Sequence, residues 1–231
     1  MNNGPLNFSL ILVVLQNEYG VAAAPTIVDP FEQILLENIA YLAEDDRRLS
    51  AFRTLQERVG LSPQNILSAN PDELADICKI GGMVPDLRAE RLIFTAELTV
   101  NNFEGTLSKV VNLPRKEALK ELQKFPVIGL PSAEKILLFA GIGSGIAPDS
   151  NILRVLFRLG VATETGNYSR DYKNMTTAIE ELLPSEREIR IELHQQLRRL
   201  GKQVCRRCVP QCTSCPLVNH CETGANKMAR E

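Results

Sequence analysis

The sequence lacks several features that would point to a particular class of protein. It contains no tryptophan and only 5% aromatic residues, so its core is expected to be mainly aliphatic. No apolar run approaches the ~20 residues of a membrane-spanning helix. The most apolar stretch, residues 8–15, has no basic segment before it and is followed at once by Gln16-Asn17-Glu18. This pattern predicts an amphipathic or buried helix and not a signal peptide.

An excess of positive charge is also absent. The formal net charge is -2, which gives no overall attraction to nucleic acid. With 231 residues, of which 44% are hydrophobic and 23% charged, the chain has the composition of a soluble globular protein with one core or two smaller ones. We expect a cytosolic monomer with reduced cysteines and no membrane partner.

The cysteines are concentrated near the C-terminus, where Cys205, Cys212, Cys215 and Cys221 have the spacing C-x6-C-x2-C-x5-C. Four thiolates in one loop suit an inorganic centre, and both iron–sulfur clusters and zinc take sulfur ligands. An alternative set with Cys208 in place of Cys221 gives two CxxC pairs three residues apart, whereas zinc ribbons separate theirs by roughly 12–20 residues. A disulfide cluster fits poorly, because five cysteines leave one unpaired and nothing marks the chain as secreted. We therefore favour an iron–sulfur cluster, with Cys208 as a spare.

Helical periodicity extends through nearly the whole chain. Apolar residues recur every 3.6 positions from Phe31 to Leu42, prolines separate the segments, and Asn70-Pro71 is typical of a helix start. No segment alternates over the length of a strand. The pattern predicts an all-α protein with about ten short helices, over residues 31–42, 47–59, 71–79, 86–101, 115–123, 132–140, 150–159, 171–183 and 186–200.

Two segments have a glycine-containing turn between helices. One contains Gly81-Gly82, and the other runs from Phe125 to Gly129 and leads into a helix. Glycine lets an anion approach the backbone, and a helix N-terminus presents unpaired N–H donors. Many helical hairpins have such turns, so both phosphate binding and a plain connection between helices are open.

A basic stretch from Arg187 to Arg207 leads into the cysteine loop. It contains seven lysines or arginines against two glutamates. Composition alone allows either a solvated helix face or a patch that contacts phosphates, with salt-sensitive affinity.

The order of these features resembles the helix-hairpin-helix DNA glycosylases of the endonuclease III type. This family is named for a hairpin, a Gly/Pro-rich loop and an aspartate. Here the hairpin at residues 125–133 is followed by Gly145-Ile146-Ala147-Pro148-Asp149 and then by the cysteine loop. The resemblance extends from about Pro30 to Cys221, and the cysteine spacing is its most specific part.

The resemblance implies an all-α fold of two domains. Residues 25–142 are expected to form a six-helix barrel that contains the hairpin. Residues 1–24 and 143–231 are expected to form a second helical domain, with an iron–sulfur cluster loop at about 205–221.

The family also implies a [4Fe-4S] cluster on the four cysteines and double-stranded DNA bound in the groove between the domains. A damaged or mismatched nucleotide is flipped out, because its C1′ is inaccessible inside the stack. Gly129, with its neighbours Ile128 and Ser132, is then expected to anchor a phosphate. Arg206 and Arg207 are expected to reach the DNA backbone.

Asp149 matches the aspartate of the family. Cleavage of an N-glycosidic bond builds positive charge on the sugar, so a nearby carboxylate stabilises the transition state or helps water to attack. Asp149 also precedes a helix that is predicted to begin near Ser150, where an aspartate caps the first turn. The two roles can coexist.

Glu37 resembles a second family carboxylate. In the adenine-mismatch branch a glutamate follows a proline–aromatic pair by seven residues, and Glu37 has that spacing from Pro30. Its surroundings are apolar, so it is expected to be a partly desolvated acid with a raised pKa that protonates the leaving base. The alternative is a residue at the wet edge of the barrel. Tyr41, one turn away, is expected either to stack on the flipped base or to lie in the core.

The hairpin departs from the family at two positions. Pro131 stands where members with lyase activity have a lysine, whose amine attacks C1′. Lys135 is one turn further along, with its Cα roughly 6 Å away by helix rise. Val127 replaces the first glycine, and a β-branched residue adopts a positive φ only at a cost.

We therefore expect a monofunctional base-excision DNA glycosylase, which hydrolyses the N-glycosidic bond of a flipped damaged or mismatched base. One alternative is a bifunctional endonuclease III-like glycosylase and lyase, with Lys135 as the nucleophile. The other is a catalytically silent DNA-damage-binding protein on the same scaffold.

Overall fold

The structure is a computed structural model that describes residues 6–40 and 43–228 of the chain, with side chains as far as residue 225. Within these ranges every regular element is a helix, which confirms the predicted all-α fold. The α-helices are, in order, α1 (Phe8–Tyr19), α2 (Pro30–Ile39), α3 (Asp45–Arg58), α4 (Pro63–Ser68), α5 (Pro71–Ile80), α6 (Pro85–Phe103), α7 (Ser108–Val111), α8 (Arg115–Leu122), α9 (Leu130–Phe139), α10 (Ser150–Arg158), α11 (Tyr168–Ile179), α12 (Arg187–Gln203) and α13 (Glu222–Met228). None of the helices in the described ranges is both long and apolar enough to cross a membrane.

The chain divides into two compact units. The central unit extends from Thr26 to Ile142, and the terminal unit combines the residues up to Pro25 with those from Gly143 onward. The central unit therefore contains α2 to α9, and the terminal unit contains α1 and α10 to α13. Each unit has its own hydrophobic core.

The core of the central unit is mainly aliphatic, as the scarcity of aromatic residues predicts. Its fully buried side chains include Ile34, Leu35 and Ile39 on one face of α2. One charged residue, Arg88, is also fully buried. Its guanidinium donates to two backbone carbonyls, that of Asn38 at 2.5 Å and that of Met83 at 3.1 Å. These bonds connect the end of α2 to the turn before α6 and satisfy part of the hydrogen-bonding capacity of a buried charge.

The core of the terminal unit supports the cysteine loop. It contains buried residues of α1, α10, α11 and α12, such as Leu15, Ile152 and Leu197. Three cysteines of the loop, Cys205, Cys215 and Cys221, are partly buried against this core. The loop is thus packed onto the body of the unit.

Local signals located several helix starts correctly. The side chain of Asn70 accepts a hydrogen bond from the N–H of Asp72 at 2.9 Å, and Pro71 is the first residue of α5. The prediction did not include α4, α7 and α13, which have six, four and seven residues. A segment of two turns or fewer shows too little periodicity to be recognised from its apolar pattern.

Candidate active site and cluster loop

The hairpin in the central unit precedes α9. Val127 lies at its turn with a φ of 56°, so the valine takes the left-handed conformation that a glycine usually supplies. The cost expected for a β-branched residue at a positive φ therefore applies at this turn. On either side of Val127, Phe125 and Ile128 are buried in the core and hold the turn in place, and the N–H of Ile128 donates to the carbonyl of Phe125 at 3.3 Å. Left-handed backbone at a non-glycine residue costs roughly 1–2 kcal/mol, and packing of the neighbouring side chains offsets that cost.

Gly129 is the residue immediately before α9 and has ordinary extended backbone. A Cβ added at Gly129 would have Pro131 Cδ as its nearest neighbour, at 3.9 Å, so the protein itself leaves this position open. The N–H groups in the first turn of a helix have no partner within the helix. Gly129 and the start of α9, which includes Ser132, thus present backbone donors beside open space.

Pro131 and Lys135 both lie on α9, at its start and in its second turn. Lys135 donates through Nζ to Oε1 of Glu37 on α2. A second cation, Arg48 on α3, lies with its NH1 3.5 Å from Oε2 of Glu37. Three helices therefore meet at one ionic cluster, which we call the Glu37 cluster (Glu37, Lys135 and Arg48).

The Glu37 cluster is half-buried. The Glu37 side chain is 16% exposed, and both cations are about equally accessible to solvent. The next residue, Asn38, is fully buried, and its Nδ2 donates to the carbonyl of Pro126 in the hairpin at 3.1 Å. The sequence predicted a carboxylate beside an apolar surface but gave no sign of its cationic partners. Tyr41, the proposed stacking residue, lies outside the described residues.

In the terminal unit, Asp149 caps α10. Its Oδ1 accepts hydrogen bonds from the N–H groups of Asn151 at 2.8 Å and Ile152 at 2.9 Å. The predicted capping role is therefore observed directly. The side chain is 32% exposed, so solvent and a ligand can reach it.

The second carboxylate oxygen of Asp149 has a cationic neighbour. Arg198 on α12 donates through Nε to Oδ2 at 3.1 Å. Burial raises the pKa of Asp149. This effect is outweighed by four influences that lower the pKa: the N–H of Ile152, the charges of Arg198 and His194, and the side chain of Asn151. The net pKa is below the ordinary aspartate value, and Asp149 is ionised at neutral pH.

Two arginines attach α10 to the cysteine loop. Arg154 donates to the carbonyls of Gly201 at 2.7 Å and Cys205 at 2.8 Å. Arg158 donates to the carbonyl of Arg206 at 2.7 Å and to the sulfur of Cys205 at 3.3 Å. Sequence reasoning missed these residues. Their spacing of one helical turn, which puts both on the same face of α10, was the available signal.

The four predicted cluster ligands surround one depression. Cys205, Cys212, Cys215 and Cys221 all line it, and it is partly open to solvent. Cys208, the predicted spare, is exposed and is not among the lining residues. In the described part of the chain, no group of three or more histidine, cysteine, aspartate or glutamate side chains is arranged to hold a single metal ion.

The surroundings of the thiols suit sulfur ligands of an inorganic centre. Burial raises the pKa of Cys215 to about 11, and the nearby thiols of Cys205, Cys221 and Cys212 add to the increase. Four neighbouring thiols lose their protons readily only when a bound cation compensates the negative charge of the thiolates. The N–H of Gly224 donates to the sulfur of Cys221 at 3.3 Å, and such bonds stabilise ligating thiolates.

The basic stretch does not form one uniform face. Arg199 stacks over the ring of Tyr19 with its Cζ 4.4 Å from the ring centroid, and Arg190 donates to a backbone carbonyl at 2.6 Å. Arg206 and Arg207 are exposed at the start of the cysteine loop.

Comparison with known proteins gives relatives of one kind. The chain is 27% identical over 195 residues to endonuclease III of Thermotoga maritima, which covers 84% of this chain and 83% of that protein. It is 29% identical over 161 residues to the thymine-DNA glycosylase of Aeropyrum pernix, which covers 69% of this chain and 68% of the relative. No protein-family model matches the chain.

Solved structures have the same fold. A thermostable thymine-DNA glycosylase superimposes with a TM-score of 0.75 at 21% identity over 95% of each chain. An endonuclease III trapped as a covalent intermediate with DNA gives a TM-score of 0.74 at 21% identity over 96% of this chain and 99% of that one. Together with the hairpin, the capping aspartate and the cysteine loop, these similarities support the resemblance of the chain to the helix-hairpin-helix DNA glycosylases of the endonuclease III type.

Proposed function

We propose that the protein is a base-excision DNA glycosylase that hydrolyses the N-glycosidic bond of a damaged or mismatched base in double-stranded DNA, without lyase activity. The observation that carries the proposal is Asp149, a carboxylate held in its ionised form at the start of α10 and still accessible from solvent. The similarity to known proteins supports the reaction class, since the relatives named above include a thymine-DNA glycosylase and endonuclease III.

The charge on Asp149 decides between its two possible roles. A carboxylate with a lowered pKa is a weak proton acceptor, so it is poorly suited to activate water as a general base. A fixed negative charge does stabilise the sugar cation that develops as the glycosidic bond breaks. We assign Asp149 the electrostatic role.

Water, and not an amine, is the proposed nucleophile. Pro131 has no amine at the position where lyase-active members carry lysine. Lys135 is the nearest substitute on α9, but its ammonium group donates to Glu37. This contact would have to break before the Lys135 nitrogen could reach a sugar carbon as a nucleophile.

The ionic cluster also changes the role proposed for Glu37. A carboxylate between Lys135 and Arg48 is a poor proton donor, because protonation would leave two cations without their counter-charge. We therefore propose that Glu37 holds α2, α3 and α9 together at the hairpin and orients Lys135. Protonation of the leaving base is assigned to solvent.

Contact with the DNA backbone is proposed at two places. In the central unit, the open space at Gly129 lets a phosphate reach the N–H groups at the start of α9. Ile128 is buried and its N–H donates to the carbonyl of Phe125, so its contribution is to hold the turn in place. In the terminal unit, the exposed Arg206 and Arg207 provide phosphate contacts that weaken as salt increases.

We propose that Cys205, Cys212, Cys215 and Cys221 hold a [4Fe-4S] cluster. The four thiols around one depression, with N–H donors directed at the sulfurs, support this assignment. When bound, the cluster orders the loop that carries Arg206 and Arg207. Cys212→Ser should abolish stoichiometric iron and sulfide in the purified protein, and Cys208→Ser should leave both unchanged. Equal loss in the two variants would contradict the ligand set.

The function is tested with duplexes that each carry one lesion or mismatch. Purified protein is incubated with each duplex, and half of every sample is then treated with hot alkali, which cleaves abasic sites. The proposal predicts strand breaks after alkali for at least one duplex and intact strands without it. Borohydride should trap no protein–DNA adduct. Breaks without alkali, or an adduct that disappears in Lys135→Met, would establish lyase activity instead.

A further inference from the structure

One face of α12 supports the segment that contains Asp149. His194, Arg198 and Gly201 are spaced i, i+4 and i+7, so they lie in line on one side of the helix. His194 Nδ1 lies 2.8 Å from the carbonyl of Ile146, and because a carbonyl oxygen can only accept, Nδ1 carries the proton. Arg198 bonds to Asp149 itself.

Gly201, the third member, allows the closest approach. A Cβ at Gly201 would lie 2.7 Å from the backbone oxygen of Asn151, so α12 touches the first turn of α10 at this point. The supported segment also contains Ala147, which is buried and has a φ of 43°. Strained backbone of this kind persists only when its surroundings hold it, and the face of α12 does so.

The side chain of Arg198 bonds directly to the carboxylate of Asp149. The two N–H groups from α10 engage Oδ1, and Arg198 engages Oδ2. The carboxylate is therefore restrained at both oxygens. An arginine keeps its charge at every pH at which the protein is folded.

We propose that Arg198 is a positioning residue for the reaction: it orients the Asp149 carboxylate and keeps it anionic when DNA phosphates approach. This inference rests on the proposed function. Phosphates favour protonation of a nearby carboxylate and oppose its charge. The Arg198 guanidinium, bonded to Oδ2, counters the negative potential of the phosphates. The backbone N–H groups of α10 bond only to the other oxygen, Oδ1.

Other titratable or charged groups among the described residues also face Asp149. His194 belongs to α12, and Arg154, on α10, is influenced by the charge of Asp149. Tyr168, at the start of α11, has its pKa raised by burial and by the same carboxylate. Of these groups, Arg198 combines a permanent charge with a direct bond to Asp149.

The first test measures single-turnover excision as a function of pH at saturating DNA. Arg198→Gln should reduce the rate at neutral pH by about 10- to 100-fold, the loss expected for a charge-assisted hydrogen bond. Because the pKa of Asp149 should increase, the acid limb of the profile should move to higher pH. Arg198→Lys should restore most of the rate and the position of the limb. The control, Arg170→Gln, removes the same charge from α11 of the same unit and should not move the limb.

A second test does not depend on activity. Arg198→Gln should lower the melting temperature at neutral pH when Asp149 is present, and should have little effect when Asp149 has been replaced by Asn, which keeps the cap. This comparison also shows whether the variants are folded.

The outcomes separate the two proposals. Suppose first that the unaltered protein excises a base. If Arg198→Gln then changes only the affinity for DNA, or has the same pH profile as Arg170→Gln, the positioning role is wrong and the proposed function stands. If the unaltered protein excises no base from any duplex, the proposed function fails and the role of Arg198 in it fails as well. The melting data would then report only whether the ion pair exists.

Discussion

Two carboxylates were candidates for catalysis, and their surroundings differ in kind. Asp149, in the terminal unit, accepts hydrogen bonds from two backbone N–H groups at the start of a helix and from one arginine. Glu37, in the central unit, lies within α2, and its ionic partners Lys135 and Arg48 come from two other helices. Asp149 is also twice as exposed as Glu37, at 32% against 16%.

The partners of the two carboxylates determine how available each negative charge is for chemistry. Backbone donors are fixed by the fold and do not reorganise when a transition state forms, so the Asp149 charge is oriented in advance. The charge on Glu37 is compensated by two long side chains, and any new role would require these ion pairs to break. On this view the first carboxylate acts in the reaction and the second is structural.

The largest expected effect separates the two carboxylates by activity. Asp149→Asn should reduce single-turnover excision by on the order of 10²- to 10³-fold, because it removes the charge that stabilises the sugar cation. Asparagine is also a good N-cap, so the melting temperature should change little. Glu37→Gln, the matched change in the central unit, should reduce excision by less than about fivefold, a cost below 1 kcal/mol. Comparable losses in the two variants would show that Glu37 takes part in the chemistry.

A smaller effect is expected from packing around Asp149. Gly201→Ala places a methyl group 2.7 Å from the backbone oxygen of Asn151, so α12 and the first turn of α10 must separate. Overpacking of this kind costs about 1–3 kcal/mol. Calorimetry should show a lower melting temperature, and excision should fall because the bond from Arg198 to Asp149 lengthens. An unchanged melting temperature would mean that the two helices adjust freely.

The sequence predicted the parts of these sites that depend on local spacing. The cysteine set and the cap at Asp149 follow from residues a few positions apart, and the structure places these residues together. The partners of the carboxylates could not be predicted, since Arg198 is 49 residues from Asp149 and Lys135 is 98 residues from Glu37. Such pairs come together only when the helices pack in the folded protein. A single sequence does not show which helices will pack against each other.

Gly129 occupies an open position in the central unit, in contrast to the tight one at Gly201. A Cβ at Gly129 has its nearest neighbour at 3.9 Å, and its backbone is in a region that alanine adopts easily. Gly129→Ala should therefore leave the melting temperature unchanged. Affinity for duplex DNA should fall about tenfold, the loss of roughly one hydrogen bond to a charged group. Binding measured by fluorescence anisotropy at constant salt checks this, and unchanged affinity would exclude a phosphate at the start of α9.

The smallest effect is expected at Val127 in the central unit and Ala147 in the terminal unit, two of the non-glycine residues with left-handed backbone. Val127 is half-exposed at the hairpin, whereas Ala147 is buried beside Asp149. Glycine removes the conformational cost of about 1–2 kcal/mol but adds about 0.5–1 kcal/mol of chain entropy in the unfolded state. Val127→Gly should thus stabilise the protein by about 0.5 kcal/mol, measured by denaturant unfolding. Ala147→Gly should gain less, since it also removes a buried methyl group. If Val127→Gly instead destabilises the protein, the contacts of the valine side chain outweigh its backbone strain, and the hairpin depends on packing more than on its turn.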